Sequence, residues 1–272
     1  MDVASGAIGL LNFAIECFNH IQLAREFEQE FATYQLKLDV LQVRLSRWGE
    51  VLRNINPGNI GPQAGDGRAS KQKGPSEDTD PATKAYHILS AIQDTILSAQ
   101  RQARRVETRL GAADKKLLDP ELHVPTDLKK IRVRFRECVR RWRAKAGKVI
   151  EATKWAFYQR VSFEKFVTDM SSLVSDLEGL FPEDAQQKLS ELSKEECNGI
   201  SQANLEELKE IIEECDPWLE KAVDEKIQSG FSAGTYITQK HNTGMITGIH
   251  HGDINGVSNG NNNKTRNYWG RH

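Results

Sequence analysis

The first twenty-four residues are the most apolar stretch of the chain. From Val3 to Ala24 there is one carboxylate, Glu16, and no Lys or Arg. At a helical rise of about 1.5 Å per residue the stretch spans roughly 33 Å, close to the thickness of a bilayer's hydrocarbon core. Ser5, Asn12, Glu16 and Asn19 lie seven, four and three positions apart, which predicts one polar stripe along a helix. The pattern fits either a buried core helix or a membrane-seeking helix.

Two further long helices are predicted in the first half of the chain. From Phe27 to Leu52 apolar residues recur every three or four positions, which predicts a helix of about seven turns with one apolar face. Residues 57–81 are rich in Gly, Pro, Ser, Asp and Lys and predict a mobile surface loop. Pro81 suits the first position of the next helix, whose C-terminal end carries several arginines. Residues 111–125 are predicted to be a connection.

The helices predicted in the second half differ sharply in charge. Thr126 is expected to cap a basic helix, and ten Lys or Arg stand against one acid between Lys129 and Lys148. Residues 149–158 look helical, Ser162 begins another helix, and the remainder to Gln228 is helical and acidic. Basic and acidic segments of one domain most often pair or stay solvated. Contact of the basic face with anionic lipid is the less common alternative, and nucleic acid ranks below it.

The composition changes abruptly at residue 229. The segment 229–272 is dominated by Gly, Asn, Thr and His, which predicts a disordered tail. Ile237-Thr238-x-x-His241 nevertheless recurs nine residues later, starting at Ile246. Short strands of this kind could stack in register with identical chains as cross-β amyloid. We assign such a motif to residues of about 235–260, namely Ile237, His241, Gly244, Ile246, Gly248, Ile249, His250, Gly252, Ile254, Asn255, Gly256 and Val257.

Composition narrows the function classes further. The chain has 272 residues, 28% of them charged, a net charge of -1 and a mean hydropathy of -0.57, which are values of a soluble protein. The start is a poor signal peptide and the four cysteines have no metal-ligand spacing, so we expect a cytoplasmic protein with buried thiols. No phosphate-binding loop, nucleophile elbow or His-Glu-x-x-His motif occurs. We therefore expect no enzyme, cofactor or metal, and no nucleic-acid partner. The fold class is an all-α multi-helix bundle of about eight helices over residues 1–228, with the tail beyond it.

Three stretches resemble a known family. The run from Tyr34 to Glu50, which contains Arg-Leu-Ser-Arg-Trp-Gly-Glu, resembles the second helix of the fungal HeLo domain of prion and heterokaryon-incompatibility proteins of the HET-s/HET-S type. Residues 154–158 with Ser162-Phe-Glu-Lys165, and Leu177-Glu-Gly-Leu-Phe-Pro182, are similar to the same domain further on. In that family the helical domain is a latent toxin and a short C-terminal segment is an amyloid signalling motif.

The resemblance implies a role for each region. Stacking of the motif, seeded by an NLR-type nucleotide-binding sensor, would deform the helical domain and release residues 1–24 into plasma membrane lipids. Glu16 corresponds to the family's functional carboxylate, and Glu26 to a position at which toxic and non-toxic variants differ. A hinge is expected at Leu23, Glu26 and Phe27. The polar stripe comprises Asn12, Glu16 and Asn19, and the membrane-inserting residues are Val3, Ile8, Leu10, Leu11, Ile15, Phe18 and Ile21. A non-toxic prion-forming interaction protein and a helical adaptor with a disordered tail are the alternatives.

Overall fold

The structure is a computed structural model that describes residues 3–54, 80–143, 153–213 and 215–232, with two short segments at 257–259 and 263–265. Nine helices lie in these residues, which confirms the all-α class. One of them, the four-residue α4, lies inside the predicted connection. The helices are α1 Val3–Phe18, α2 Phe31–Asn54, α3 Pro81–Glu107, α4 Pro120–His123, α5 Thr126–Arg143, α6 Arg160–Glu178, α7 Glu183–Glu196, α8 Gln202–Ile212 and α9 Pro217–Ser232.

Helix α2 is the centre of the bundle. Every residue from Leu38 to Val51 is buried, and α1, α5, α6, α7 and α8 all pack against this helix. The prediction of a single apolar face was wrong, because four charged residues of α2 are also buried, namely Asp39, Arg44, Arg47 and Glu50. The helix is shorter at its start than predicted, since a 3₁₀ helix, Arg25–Glu30, precedes it.

Helix α1 lies on two helices rather than one. It packs more extensively on α3 than on α2, although α2 is the helix that follows it in sequence. The ring of Tyr86 on α3 lies against Gly6, and Leu11 lies against Gly49 on α2. Both contacts bring the helix axes close together because neither glycine carries a Cβ.

A short parallel strand pair joins two parts of the chain that are distant in sequence. Strand β1, Ile21–Leu23, pairs with β2, Trp155–Phe157, with Ile21 opposite Trp155 and Leu23 opposite Phe157. The prediction of helix over residues 149–158 was therefore wrong for 155–157. The prediction failed because all three residues of β2 are buried, so no amphipathic period distinguishes a strand from a helix there.

The basic helix α5 pairs in part with the acidic half, as expected. The Arg134 guanidinium donates to the backbone oxygen of Glu195 on α7 at 2.6 Å, and Arg141 forms an ion pair with the carboxylate of the same residue. The four cysteines are buried free thiols. Burial is also the main reason that the pKa of the Cys17 thiol is raised to about 11.

The chain divides into two compact units, Met1–Ile227 and Gln228–His272. In the second, β3, Val257–Asn259, pairs antiparallel with β4, Asn263–Thr265. Of the residues assigned to the amyloid motif, only Val257 is among those that the structure describes. The other motif residues, and most of the loop predicted at 57–81, lie outside the described residues.

Candidate functional site: the first helix and its attachment

Helix α1 is an apolar helix at the edge of the bundle. Leu11, Ile15 and Phe18 are buried, Leu10 is half-buried and Ile8 is 42% exposed. The side chain of Val3 lies outside the described residues. Of the residues predicted to enter a membrane, the described ones thus divide between the protein interior and the surface.

The helix is shorter than the apolar run that predicts it. It ends at Phe18, and its 16 residues span about 24 Å. The predicted 33 Å helix to Ala24 is therefore wrong for this state, because a turn at Asn19 and His20 leads into β1. In the described part of the chain no helix is long and apolar enough to cross a membrane.

The C-terminal end of α1 is capped by a side chain of α2. The last turn of a helix leaves backbone oxygens without intrahelical partners. Gln42 Nε2 donates to the backbone oxygen of Ile15 at 3.0 Å and to Asn19 Oδ1 at 2.8 Å. Gln42 is itself buried, so one amide fixes both the end of α1 and the turn after it.

Two residues of the predicted polar stripe, Glu16 and Asn19, are hydrogen-bonded to each other at this end of the helix. Asn19 Nδ2 donates to Glu16 Oε2 at 3.3 Å, and His20 Nε2 lies 3.1 Å from Glu16 Oε1. Glu16 is buried, Asn12 is half-buried and Asn19 is exposed. The resting fold therefore uses Glu16 and Asn19 to hold the turn, a local use that the stripe by itself does not predict.

Backbone hydrogen bonds hold residues 20–24, the segment after α1, on both sides. On one side Trp155 N donates to His20 O at 3.1 Å and Ala24 N to Phe157 O at 3.0 Å. On the other side Leu118 N donates to Leu23 O at 2.9 Å. Leu23 is 1% exposed. The predicted hinge at this residue thus lies between strand β2 on one side and a single antiparallel bridge, Ala24 opposite Leu117, on the other.

The other two predicted hinge residues are anchored to α6. The Glu26 carboxylate accepts from the backbone N–H of Arg160 at 2.8 Å, which supplies an N-terminal cap that Gln159 does not. Phe27 is fully buried, and its ring lies 5.1 Å from that of Tyr34 and 5.5 Å from that of Phe163. The chain from Glu26 onward is therefore attached to α6 and α2 by contacts of its own, independently of α1.

The opposite side of α2 is held by two buried arginines. Arg44 donates through Nε and Nη2 to both oxygens of Glu178, at 3.0 and 2.7 Å. Arg47 does the same to Glu196, at 2.9 and 2.7 Å, and also donates to both oxygens of Asp216, at 3.1 and 2.7 Å. Such two-point pairs are the strongest hydrogen bonds that arginine forms. They tie α2 to α6, to α7 and to the start of α9.

The two carboxylates that share Arg47 have opposite pKa shifts. Burial raises the pKa of Glu196 to about 7, although Arg47 opposes the shift. Burial disfavours the charged form of Asp216 too, but Arg47, Arg44 and the backbone N–H of Leu219 outweigh it, so its pKa is lowered. Arg44 and Leu219 favour the charged form of Asp216, whereas the carboxylates of Asp216 and Glu195 disfavour the charged form of Glu196.

The sequence does not identify this cluster as functional or structural. Its only local signal is a pair of arginines three residues apart within an apolar helix, inside the run that resembles the HeLo domain. The acids lie among sixteen in the acidic half, and nothing local distinguishes Glu178, Glu196 and Asp216 from the others.

Comparison with known proteins agrees with this geometry. The family model described as HeLo, prion-inhibition and propagation, matches residues 2–211. The heterokaryon incompatibility protein S of Podospora anserina is 30% identical over 231 residues, which cover 83% of this chain and 73% of that protein. The heterokaryon incompatibility protein s of the same organism is 28% identical over 235 residues, 84% of this chain and 74% of that protein.

The solved structure of the HET-s N-terminal domain has the same architecture. Its TM-score with this chain is 0.70 at 27% identity, covering 83% of this chain and 98% of the other. The class is thus a helical bundle of the HET-s type. The chain belongs to the HeLo family, as the resemblance in the sequence indicates.

Proposed function

We propose that the chain is a non-enzymatic executor of regulated cell death, in which residues 1–24 leave the bundle and permeabilise the plasma membrane. The observation that carries the proposal is the way α1 is attached. This helix is apolar and partly exposed, and its single carboxylate, Glu16, lies at the C-terminal end that is hydrogen-bonded to the rest of the bundle. The names of the two relatives, both heterokaryon incompatibility proteins, support a role of this kind.

Release would need two local changes. The Gln42 cap and the β1–β2 backbone bonds must break, and residues 19–24 must become helical so that the helix reaches the roughly 30 Å of a hydrocarbon core. The stripe of Asn12, Glu16 and Asn19 would then face a wet interior between helices, because a charge that faces lipid is costly.

The tail would supply the trigger. Cross-β stacking places successive chains about 4.7 Å apart, whereas a domain of this size is roughly 40 Å wide. A growing stack of tails therefore crowds the helical units and favours a state in which they deform. We propose that copies of this chain, and an NLR-type sensor with a matching motif, stack on residues 235–260. The resting protein would be cytoplasmic and the activated one at the plasma membrane.

The test is dye leakage from liposomes by the full chain, seeded with fibrils of residues 235–260. We expect leakage to be lost on deletion of residues 2–23 and in Glu16→Lys. The matched control is Glu28→Lys, the same charge reversal at an exposed position of the 3₁₀ helix, which should leak normally. Leakage that survives the deletion would contradict the proposed role of the first helix. Fibrils without leakage would favour the non-toxic prion-forming protein instead.

A further inference from the structure

A pocket of about 320 Å³ lies beside the end of α1. Its lining comes from the turn after α1, from α2, from the segment before α4, from α5 and from the residue that precedes β2. The volume lies within the range of small-molecule sites. The proposed membrane function does not use this pocket.

Positive charge converges on the pocket. Arg132 and Arg136 of α5 and Lys154 line it, and Asp39 is the one acid in the lining. Arg132 is buried and donates through Nε to Asp39 at 2.5 Å. A guanidinium has four further N–H donors, so this pair does not exhaust Arg132. Arg136 also lies 3.6 Å from Glu121 at the surface.

A histidine completes the lining. His20 lines the pocket with a ring whose Nδ1 is buried and has no hydrogen-bond partner among the described residues. Both N–H groups of the Gln42 amide, which also lines the pocket, already donate to Ile15 O and Asn19 Oδ1. Buried polar atoms without partners are uncommon in folded proteins and call for an explanation such as a bound ligand or water. The cations of the lining bind phosphate oxygens through charge-assisted hydrogen bonds. Because His20 Nε2 faces the Glu16 carboxylate, His20 Nδ1 suits a hydroxyl group of the ligand, from which it can accept.

We propose that this pocket binds a phosphate ester, with Arg136 and Lys154 contacting the phosphate and His20 contacting the rest of the ligand. A bound ester would touch the turn after α1, α2 and α5 together, and would brace the attachment of the first helix. That consequence rests on the proposed function, whereas the binding itself does not. The source is either a free phosphate ester or a phosphorylated lipid headgroup.

The test is calorimetric titration of the unseeded full chain with inositol 1,4,5-trisphosphate and with inorganic phosphate. We expect saturable binding of the trisphosphate, weakened about tenfold in each of Arg136→Gln and Lys154→Gln, since a charged hydrogen bond contributes about that factor. The matched control is Arg140→Gln, an exposed arginine of α5 outside the pocket lining, which should bind within about twofold of the parent chain. Thermal unfolding checks that each variant is folded. If Arg136→Gln does not fold, Lys154→Gln alone decides the test, because Lys154 is in an exposed position before β2.

Vesicles distinguish the two sources. The ligand is a lipid headgroup if the chain binds vesicles with phosphatidylinositol 4,5-bisphosphate but not phosphatidylserine vesicles of equal charge. That binding should then be lost in the two pocket variants. Binding of the soluble probe alone identifies a free ester. The proposed phosphate-ester site is contradicted if no probe binds, or if Arg140→Gln changes the binding affinity as much as the pocket variants do. Because no fibril or leakage is involved, failure here is distinguishable from failure of the proposed function.

Discussion

The two sides of α2 are held in different ways. Toward α6, α7 and α9 the helix presents Arg44 and Arg47, fully buried and paired at two points with carboxylates. Toward α1 it presents Gln42, a neutral amide with two hydrogen bonds, and Gly49, which only permits close contact. Removing one partner of a buried ion pair costs about 3–5 kcal/mol, whereas losing a neutral hydrogen bond costs about 1–3 kcal/mol.

This difference indicates where the domain would open. Under the proposed function, the bundle would separate first where α2 makes neutral hydrogen bonds and van der Waals contacts rather than buried ion pairs, which is the attachment of α1. The arginine side would keep α2 and the C-terminal helices together. Each prediction below alters one side and leaves the other intact.

The largest effect is expected on the arginine side. Arg47→Met leaves Glu196 and Asp216 buried without their shared cation, so the free energy of unfolding should fall by about 3–5 kcal/mol. Urea unfolding measures it. The control Arg140→Met, at an exposed position of α5, should change it by less than about 0.5 kcal/mol. An equal loss of unfolding free energy in both variants would mean that the ion pairs of Arg47 do not stabilise this side of α2.

The same cluster predicts a pH dependence. The pKa of Glu196 is about 7 in the folded state against 4.5 for the ordinary group, so the folded state binds more protons between these values. Stability should therefore fall as the pH rises from about 5 to 7, by at most about 3 kcal/mol. In Glu196→Gln this slope should disappear, whereas Glu195→Gln, its neighbour paired with Arg141, should keep it. An unchanged slope in Glu196→Gln would assign the titration to another group.

A smaller effect with a functional consequence is expected on the side of α1. Gln42→Leu removes the cap on Ile15 O and the contact with Asn19, so stability should fall by about 1–2 kcal/mol. Seeded leakage should become faster, because the first helix is held less firmly. The control is Ser46→Ala, since the hydroxyl of Ser46 bonds to Gln42 O within α2. If Gln42→Leu lost stability without faster leakage, the cap would not govern release.

The smallest effect tests the close contact of α1 with α2. A Cβ added at Gly49 would lie 2.6 Å from Leu11 Cδ2, so Gly49→Ala should destabilise the fold by about 1 kcal/mol. The control Gly9→Ala, on the outer face of α1 with nothing within 4 Å, should be neutral or stabilising because alanine favours helix. Thermal unfolding of the two variants compares them. An unaffected Gly49→Ala would indicate that α1 shifts freely on α2.

Local pattern predicts the parts of this fold whose causes are local. Pro81 marks the start of α3 as expected, and the all-α class follows from apolar residues at helical spacing. The apolar character of α1 is also visible in the sequence. These features depend on neighbours within a few positions, so one sequence is enough to find them.

The features that were missed depend on partners far along the chain. Strand β1 exists because Trp155–Phe157 lies beside it, more than 130 residues away. The burial of Arg44 and Arg47 depends on acids 134 or more residues away, and the charges of the two arginines made α2 look amphipathic. The functional role of Glu16 stays a prediction, and its bonds to Asn19 and His20 follow from the turn, which periodicity does not predict.

Hydrogen exchange of the full chain, read by mass spectrometry before and after seeding, tests the central claim most directly. Exchange slows where backbone hydrogen bonds persist and rises where a segment opens locally. The backbone amides of residues 10–24 should lose protection on seeding while those of Leu38–Val51 stay slow. Loss of protection in both segments at the same rate, or in α2 first, would contradict release of the first helix from an intact arginine side.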